Sequence, residues 1–244
     1  MVFSLVRTPL PNGPRRVAVR SVDALTPTYL RIALEGDFAD FESRGADDHL
    51  RLFFVPDDVD AAELAELRPF PSREYTPVSW SADELTLDVV VHGEGPGSNW
   101  AASATPGNGA MVGGPRGSQV LDGRPDHWLL AGDRTALPAI RRFAAQAASG
   151  VPVDVVVIAE DPADEQAISS PGDLRVTWVR DLDALIAALG AAPHRDGDGF
   201  AFVAAEQSVV KPARAALVAA GFDLERSIVK GYWKRGEAEY HAPH

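Results

Sequence analysis

The chain changes rhythm near residue 120, and no other feature constrains its fold as much. Before that point, "RRVAVRSV" (15–22), "PTYLRIAL" (27–34), "HLRLFFV" (49–55), "REYTPVSW" (73–80) and "ELTLDVVV" (84–91) are short runs rich in Val, Leu, Phe and Tyr. Clusters of Pro, Gly and Asp separate them, which predicts short strands closed as an antiparallel barrel or packed as a sandwich. Beyond it, "HWLLAG" (127–132), "VDVVVIA" (153–159), "LRVTWV" (174–179) and "GFAFVAA" (199–205) read as apolar strands. The first, third and fourth lead into helical patterns: "TALPAIRRFAAQAA", the Asp-started "DLDALIAAL", and "SVVKPARAALVAAG" closed by Gly221. The second leads into the short acidic segment "EDPADEQAI". Strands alternating with helices predict a parallel sheet covered on both faces. The expected fold class is therefore β + α/β. A β domain over residues 1–120 precedes an α/β domain with a tail over 126–244, and the loop "GSQVLDGRPDH" (117–127) divides them.

Composition narrows the chemistry. At 244 residues and 45% apolar content, the chain can bury a sizeable core. Thirty-five acidic against 23 basic residues give a net charge of −12, which argues against nucleic acid or an anionic membrane as partner. An anionic small substrate then requires a local basic patch. The absence of cysteine excludes disulfides, a thiolate nucleophile, Cys-ligated zinc and Cys-held iron–sulfur clusters, so redox work requires an organic cofactor. His194, His241 and His244 lack metal-ligand spacing, so no metal site is expected. "MVFSLVRTPLPNG" lacks a signal-peptide core and no apolar run reaches membrane-spanning length, which predicts a cytoplasmic chain without membrane insertion.

Two stretches carry candidate chemistry. After the strand ending at His92, "GEGPGSNWA" offers Gly95 and Gly97 for close backbone approach and Ser98 as a side-chain donor. A helix starting near Ser98 would aim unpaired amides at an anion; an N-capped helix after a tight turn is the plainer alternative. In "REYT", alternation puts Arg73 and Tyr75 on one strand face and Thr76 on the other. Arg73 can clamp a phosphate at about 1.5–3 kcal/mol per charge-assisted hydrogen bond, against about 0.3–1 kcal/mol from a helix terminus. Tyr75 can cover an aromatic ring and Thr76 can bond its edge, although an ordinary strand also reads this way. In an α/β sheet, ligands sit outside the carboxyl strand ends, here Ala131–Gly132–Asp133, Ala159–Glu160, Val179–Arg180 and Ala204–Ala205–Glu206. "GPGS" is no P-loop, since no Gly-Lys-Ser/Thr follows, and "EDPADE" reads as a solvated acidic turn.

Six motifs in order carry a resemblance: "REYTP", "VHGEGPGSNWA", "GGPRG" (113–117), "WLLAGDRTALPAI" (128–140), "WVR" (178–180) and "GYWKRG" (231–236). The chain resembles the siderophore-interacting protein family, FAD-containing ferric-siderophore reductases of the ferredoxin-reductase superfamily. The resemblance implies a Greek-key FAD-binding barrel followed by a doubly wound α/β domain for NAD(P)H. It implies that Arg73, Tyr75 and Thr76 hold the FAD pyrophosphate and isoalloxazine. His92, Gly95, Gly97 and Ser98 would wrap the phosphates, with Trp100 behind; Asp133, Thr135 and Ala136 would face the flavin and the nicotinamide site. Three positions depart from the family pattern: Val78 where Arg is common, Arg134 where Glu is favoured, and Lys234 where Arg is usual.

The implied reaction has a physical logic. Nicotinamide yields two electrons as a hydride and ferric iron accepts one, so an interposed flavin matches the two. Ferric siderophore is the implied substrate, and Arg51, Arg116, Lys234 and Arg235 occupy basic motif positions suited to docking it. For NAD(P)H the candidates are Gly132, Arg180 and Glu206. Arg180 pairs with a 2′-phosphate or merely precedes the helix at Asp181; Glu206 approaches the nicotinamide amide or merely begins a helix. Reduced ferredoxin as donor, another acceptor, or a non-catalytic siderophore-binding role stay open at this point.

Overall fold

The computed structural model describes residues 3–93 and 95–237. One compact unit runs Arg7–Val120, and the remaining described residues form a second. In chain order the first elements are β1 (Ser4–Pro9), β2 (Pro14–Thr26), β3 (Tyr29–Gly36), β4 (Leu50–Phe53), β5 (Ser72–Tyr75), β6 (Pro77–Trp80), β7 (Glu84–Val90), α1 (Pro96–Ser103), β8 (Gly109–Gly113) and β9 (Gly117–Asp122).

Seven of these strands form one antiparallel sheet in the order β5-β4-β8-β2-β3-β7-β6. The expected single strand "REYTPVSW" is broken at Thr76. Its first half pairs with β4 and its second with β7, at opposite edges of the sheet. Because those edges are consecutive in the chain, the sheet curls around on itself at Thr76. Counting 72–80 as one bent strand, the ring order is 1-2-5-4-3-6, a Greek key. Register shifts between Val19 and Ser21 and between Ala24 and Thr26 let the 13-residue β2 bend with it. Alternating side chains fill the interior, among them Val17, Ile32, Leu34, Leu52 and Leu87. On the other face of β7, Asp88 is buried and takes a bidentate guanidinium from its register partner Arg31, at 2.8 and 2.9 Å.

The stretch read as a dividing loop is in part a strand. Residues Gly117–Asp122 form β9, which pairs with β1 as a separate two-stranded sheet. Their Gly, Ser, Gln and Asp content hides a strand whose stability comes from a partner more than 100 residues earlier.

The second unit contains β10 (His127–Asp133), α2 (Leu137–Ala144), β11 (Pro152–Ile158), β12 (Asp173–Val179), α3 (Leu182–Gly190), β13 (Gly199–Glu206), α4 (Val210–Ala219) and β14 (Ile228–Trp233). Its parallel sheet has the order β12-β11-β10-β13-β14. The chain begins at the centre, moves out to β12, then returns across β10 to β13, so the direction reverses between β10 and β13. Strand alternation sorts the two covering layers. Phe200 and Phe202 of β13 stack on Phe143 of α2, with ring centroids at 5.0 and 4.9 Å. Ala201 and Val203, pointing the other way, pack with Leu185, Leu189 and Leu217 of α3 and α4. Asp181 caps α3 by accepting from the Ala184 amide at 2.8 Å, and Gly221 follows α4 at φ +90°.

Candidate functional site

On the barrel, the register β4–β5 sets the chemistry. Arg73 lies opposite Leu52 and Tyr75 opposite Leu50, both facing the interior side, whereas Glu74 lies opposite Arg51 on the other face. The Tyr75 ring packs against the barrel core beside α1. A Cβ on Gly97 would stand 2.6 Å from the Tyr75 hydroxyl and 3.2 Å from Arg73 Cγ. Glycine leaves room for this approach of β5 to the helix, and a larger residue would have to displace the Tyr75 hydroxyl. Burial pushes the Tyr75 phenol well above its ordinary range, with Arg73 pulling weakly the other way. Thr76 is buried at the corner between β5 and β6.

The helix begins at Pro96, two residues before the expected start near Ser98, with Gly95 as N-cap. Proline at the first position has no amide, and no described side chain caps the terminus. Gly97 and Ser98 therefore carry the leading amides, at the positive end of the helix dipole. The Ser98 hydroxyl is not an outward donor as expected. It donates to the His92 carbonyl and accepts from the His92 amide, both at 3.2 Å, which pins the β7–α1 turn. Trp100 rests on Phe54 at 5.4 Å between centroids. Arg73 has its Nη1 on the Ser72 carbonyl at 2.6 Å. A helix start capped by no described side chain, a guanidinium and a phenol ring thus share one corner of the barrel, a donor set that fits a diphosphate carrying a flat aromatic ring.

The basic candidates on this unit are differently placed. Arg51 is paired with Glu74 at 2.5 Å, and His49 approaches the same carboxylate at 3.8 Å. Arg116 is exposed, two residues after Gly114 of the cis Gly114–Pro115 bond. Val78 is half-buried on β6.

The α/β unit gathers its candidates at the carboxyl edge of the sheet. Gly132 is enclosed: a Cβ there would collide with the Ala204 carbonyl and lie 2.7 Å from Ala136 Cβ. Asp133 accepts from the Thr135 amide at 2.8 Å and hydroxyl at 2.5 Å, and its second oxygen accepts from Trp233 Nε1 at 2.7 Å. Burial pushes the Asp133 carboxyl up, and the Thr135 and Trp233 bonds oppose it. Glu206 accepts from the Ser208 amide at 2.7 Å, from the Ser208 hydroxyl, and from the Arg235 amide at 3.2 Å. Burial pushes Glu206 up, but these hydrogen bonds outweigh it and hold the carboxyl below its ordinary value. Both carboxylates head single 3-10 turns, Arg134–Ala136 and Gln207–Val209, that precede the expected α-helices. Lys234 pairs with Glu237 at 2.6 Å, and Arg235 is exposed.

The segment "EDPADE", expected to be a solvated turn, is solvated only in part: Glu160 to Ala163 are exposed. Asp164 is buried and takes the Arg134 guanidinium at 2.6 Å, while Glu165 takes Arg180 at 2.7 Å. The unusual positive charge at Arg134 is thereby neutralised 30 residues along the chain. Trp233, Asp164, Glu165 and Glu74 had no role in the sequence reading, although each lies in a quoted motif or segment. Their signal is charge or polarity that only a distant partner explains. Among the described residues, no group of three or more His, Asp or Glu could hold a metal, and no helix is long and apolar enough to cross a membrane. His241, His244 and the tail around them lie outside the described residues.

The chain carries in succession a Greek-key barrel and a parallel nucleotide-type sheet, a fold seen also, with a TM-score of 0.70 at 16% identity, in the ferredoxin reductase of carbazole 1,9a-dioxygenase, over 92% of this chain and 68% of that one. Residues 18–119 match the siderophore-interacting FAD-binding domain, and residues 125–236 match the siderophore-interacting protein model. The chain belongs to the siderophore-interacting protein family. It is 32% identical to the NADPH-dependent ferric-chelate reductase of Escherichia coli, over 90% of this chain and 92% of that one. It is 31% identical to the ferric vibriobactin reductase of Vibrio cholerae, over 94% and 95% respectively. The crystal structure of a siderophore utilization protein from T. fusca superposes with a TM-score of 0.87 at 30% identity, covering 98% of this chain and 99% of that chain.

Proposed function

We propose that the chain reduces ferric siderophores in the cytoplasm, with NAD(P)H as electron source and FAD as relay, and so releases ferrous iron. The observation that carries this reading is the start of α1, capped by no described side chain, beside Arg73 and Tyr75 within a domain matched to FAD binding. Arg73 and the amides of Gly97 and Ser98 hold the diphosphate, beside the Gly95 N-cap and the His92 backbone that Ser98 pins. Tyr75 covers the isoalloxazine face and Thr76 meets its edge. FAD, when bound, accepts an electron pair from nicotinamide and delivers electrons singly to the iron.

The remaining residues position groups. Gly132, Asp133, Thr135 and Ala136 form the first βα turn, which is assigned to the nucleotide cofactors. Asp133 orders that turn and, through Trp233, the end of β14. Glu206 orders Arg235 through its backbone amide, so its carboxylate serves placement of the "GYWKRG" turn rather than direct contact with nicotinamide. Arg235, Lys234, Arg116 and Arg51 attract the anionic chelate against the overall −12 charge. Arg51 does so only in exchange for Glu74.

The test is an anaerobic titration of the FAD-loaded protein. NADH or NADPH bleaches the flavin, and ferric catecholate then restores the colour while ferrozine traps ferrous iron in stoichiometric yield. If only a reduced ferredoxin bleaches the flavin, that protein is the donor instead. Tight chelate binding with no ferrous iron formed would make the chain a binding module and defeat the proposal.

A further inference from the structure

Arg180 stands one residue beyond β12, at the carboxyl edge of the parallel sheet. Its guanidinium is divided between two acceptors. Nη1 donates to the Ala159 carbonyl at the end of β11, at 2.8 Å, and Nη2 donates to Glu165 Oε1 at 2.7 Å. The first bond ties the guanidinium to the sheet edge. The second ties it to the acidic turn after β11. The two side chains are 46% and 32% exposed, so an incoming anion can reach the pair and compete for it.

Glu165 is held in place on both sides. Its neighbour Asp164 is buried against Arg134 at 2.6 Å, and Arg141 donates to Gln166 Oε1 at 2.9 Å and to the Ala167 carbonyl at 3.3 Å. The turn is therefore fastened to the α2 side of the sheet and does not depend on Arg180 for its position. A carboxylate so fixed stays beside the guanidinium when a ligand arrives. A dianionic phosphate must share the guanidinium with that charge or displace it, and like charges at close range oppose both. An uncharged ribose hydroxyl meets no such opposition, because it can donate to the carboxylate.

We propose that Glu165 is a specificity-determining residue, which disfavours NADPH relative to NADH by holding Arg180 away from a 2′-phosphate. This rests on reading the carboxyl edge as the nicotinamide nucleotide site. The discrimination is modest, because the ion pair is exposed: about three- to fivefold in affinity.

Calorimetric titration of the FAD-loaded protein with adenosine 2′,5′-bisphosphate and with 5′-AMP tests it without turnover. Glu165→Gln is expected to tighten the bisphosphate about three- to fivefold and leave AMP unchanged. In Glu165→Gln/Arg180→Ala the gain should vanish, since it acts through that guanidinium. An unchanged bisphosphate affinity in Glu165→Gln, or an equal change for AMP, would overturn the inference while leaving the reductase reading intact. Failure of every variant to bind either nucleotide, with a flavin that neither dinucleotide bleaches, would instead remove the nicotinamide site, and this inference with it.

Discussion

The two candidate regions differ in how far the protein itself meets their polar groups. At the barrel corner, α1 has no described side-chain cap, and Arg73 is held by the carbonyl of its own neighbour. At the carboxyl edge of the α/β sheet, Asp133, Glu206, Arg180, Arg134 and Lys234 each have a protein partner within 2.8 Å. The difference suits two kinds of occupant. A resident cofactor can meet helix amides that no described side chain caps, and its affinity is then high. A cosubstrate that comes and goes is better met by a surface already satisfied in its absence, where binding is an exchange of partners and affinity is moderate.

Substitutions at the barrel corner should break this contrast most visibly. Gly97→Ala drives a methyl against the Tyr75 hydroxyl, and Arg73→Ala removes the larger phosphate contributor. Each should weaken FAD binding about 10- to 100-fold, read by release of flavin fluorescence on dilution. Equal affinity in Arg73→Ala would place the diphosphate elsewhere. On the α/β side, Asp133→Ala strips acceptors from Thr135 and Trp233, and a stability loss of about 1–3 kcal/mol in urea is expected. FAD content should fall less than in Arg73→Ala, because the substitution loosens a turn and removes no diphosphate contact. If flavin is lost as readily as in Arg73→Ala, the contrast between the regions is wrong.

Much of this was legible in the chain and some was not. Nine strand runs, the parallel sheet and the Asp-capped α3 follow from local pattern, because burial on one face or both imposes a period; the short β1, β8, β9 and β14 are not among those runs. The start of α1 at Pro96, two residues before the expected Ser98, carried a signal that the reading did not use, since proline favours the first helical position. The break at Thr76 was not legible. "REYTPVSW" is uniformly β-forming, and the strand divides only because the ring must close there. Nor was the burial of Asp164 visible. An acidic turn looks solvated until Arg134 is folded against it, and the Asp133–Trp233 bond joins residues 100 positions apart. Local chemistry marks the candidate residues; which of them are already occupied is a tertiary fact.

Smaller effects sharpen the picture. Replacing Arg51, Arg116, Lys234 and Arg235 together with alanine should raise KM for a ferric catecholate several-fold, about two- to fivefold for each cation that contributes, with kcat little changed. An unchanged KM would remove the docking role. The smallest expected effect lies away from both sites. His127 is buried with its Nδ1 unpartnered among the described residues, and burial, then Arg195, depress its pKa. A depressed histidine contributes stability above its unfolded value of about 6.5 and loses it as pH falls toward the folded value. Asp126, Asp154 and His194 also face it, so the comparison must be internal. His127→Gln should flatten the fall of the urea midpoint between pH 7 and 5.5 relative to the parent chain, and parallel curves would discount this group.

The central claim is that the leading amides of α1 and one guanidinium seat FAD on the barrel. Titrating flavin-stripped, folded protein with FAD and following the visible absorbance tests it most directly. Saturable uptake of one flavin per chain, markedly weakened in Arg73→Ala, is the predicted result; a folded protein that stays colourless at saturating FAD would contradict it.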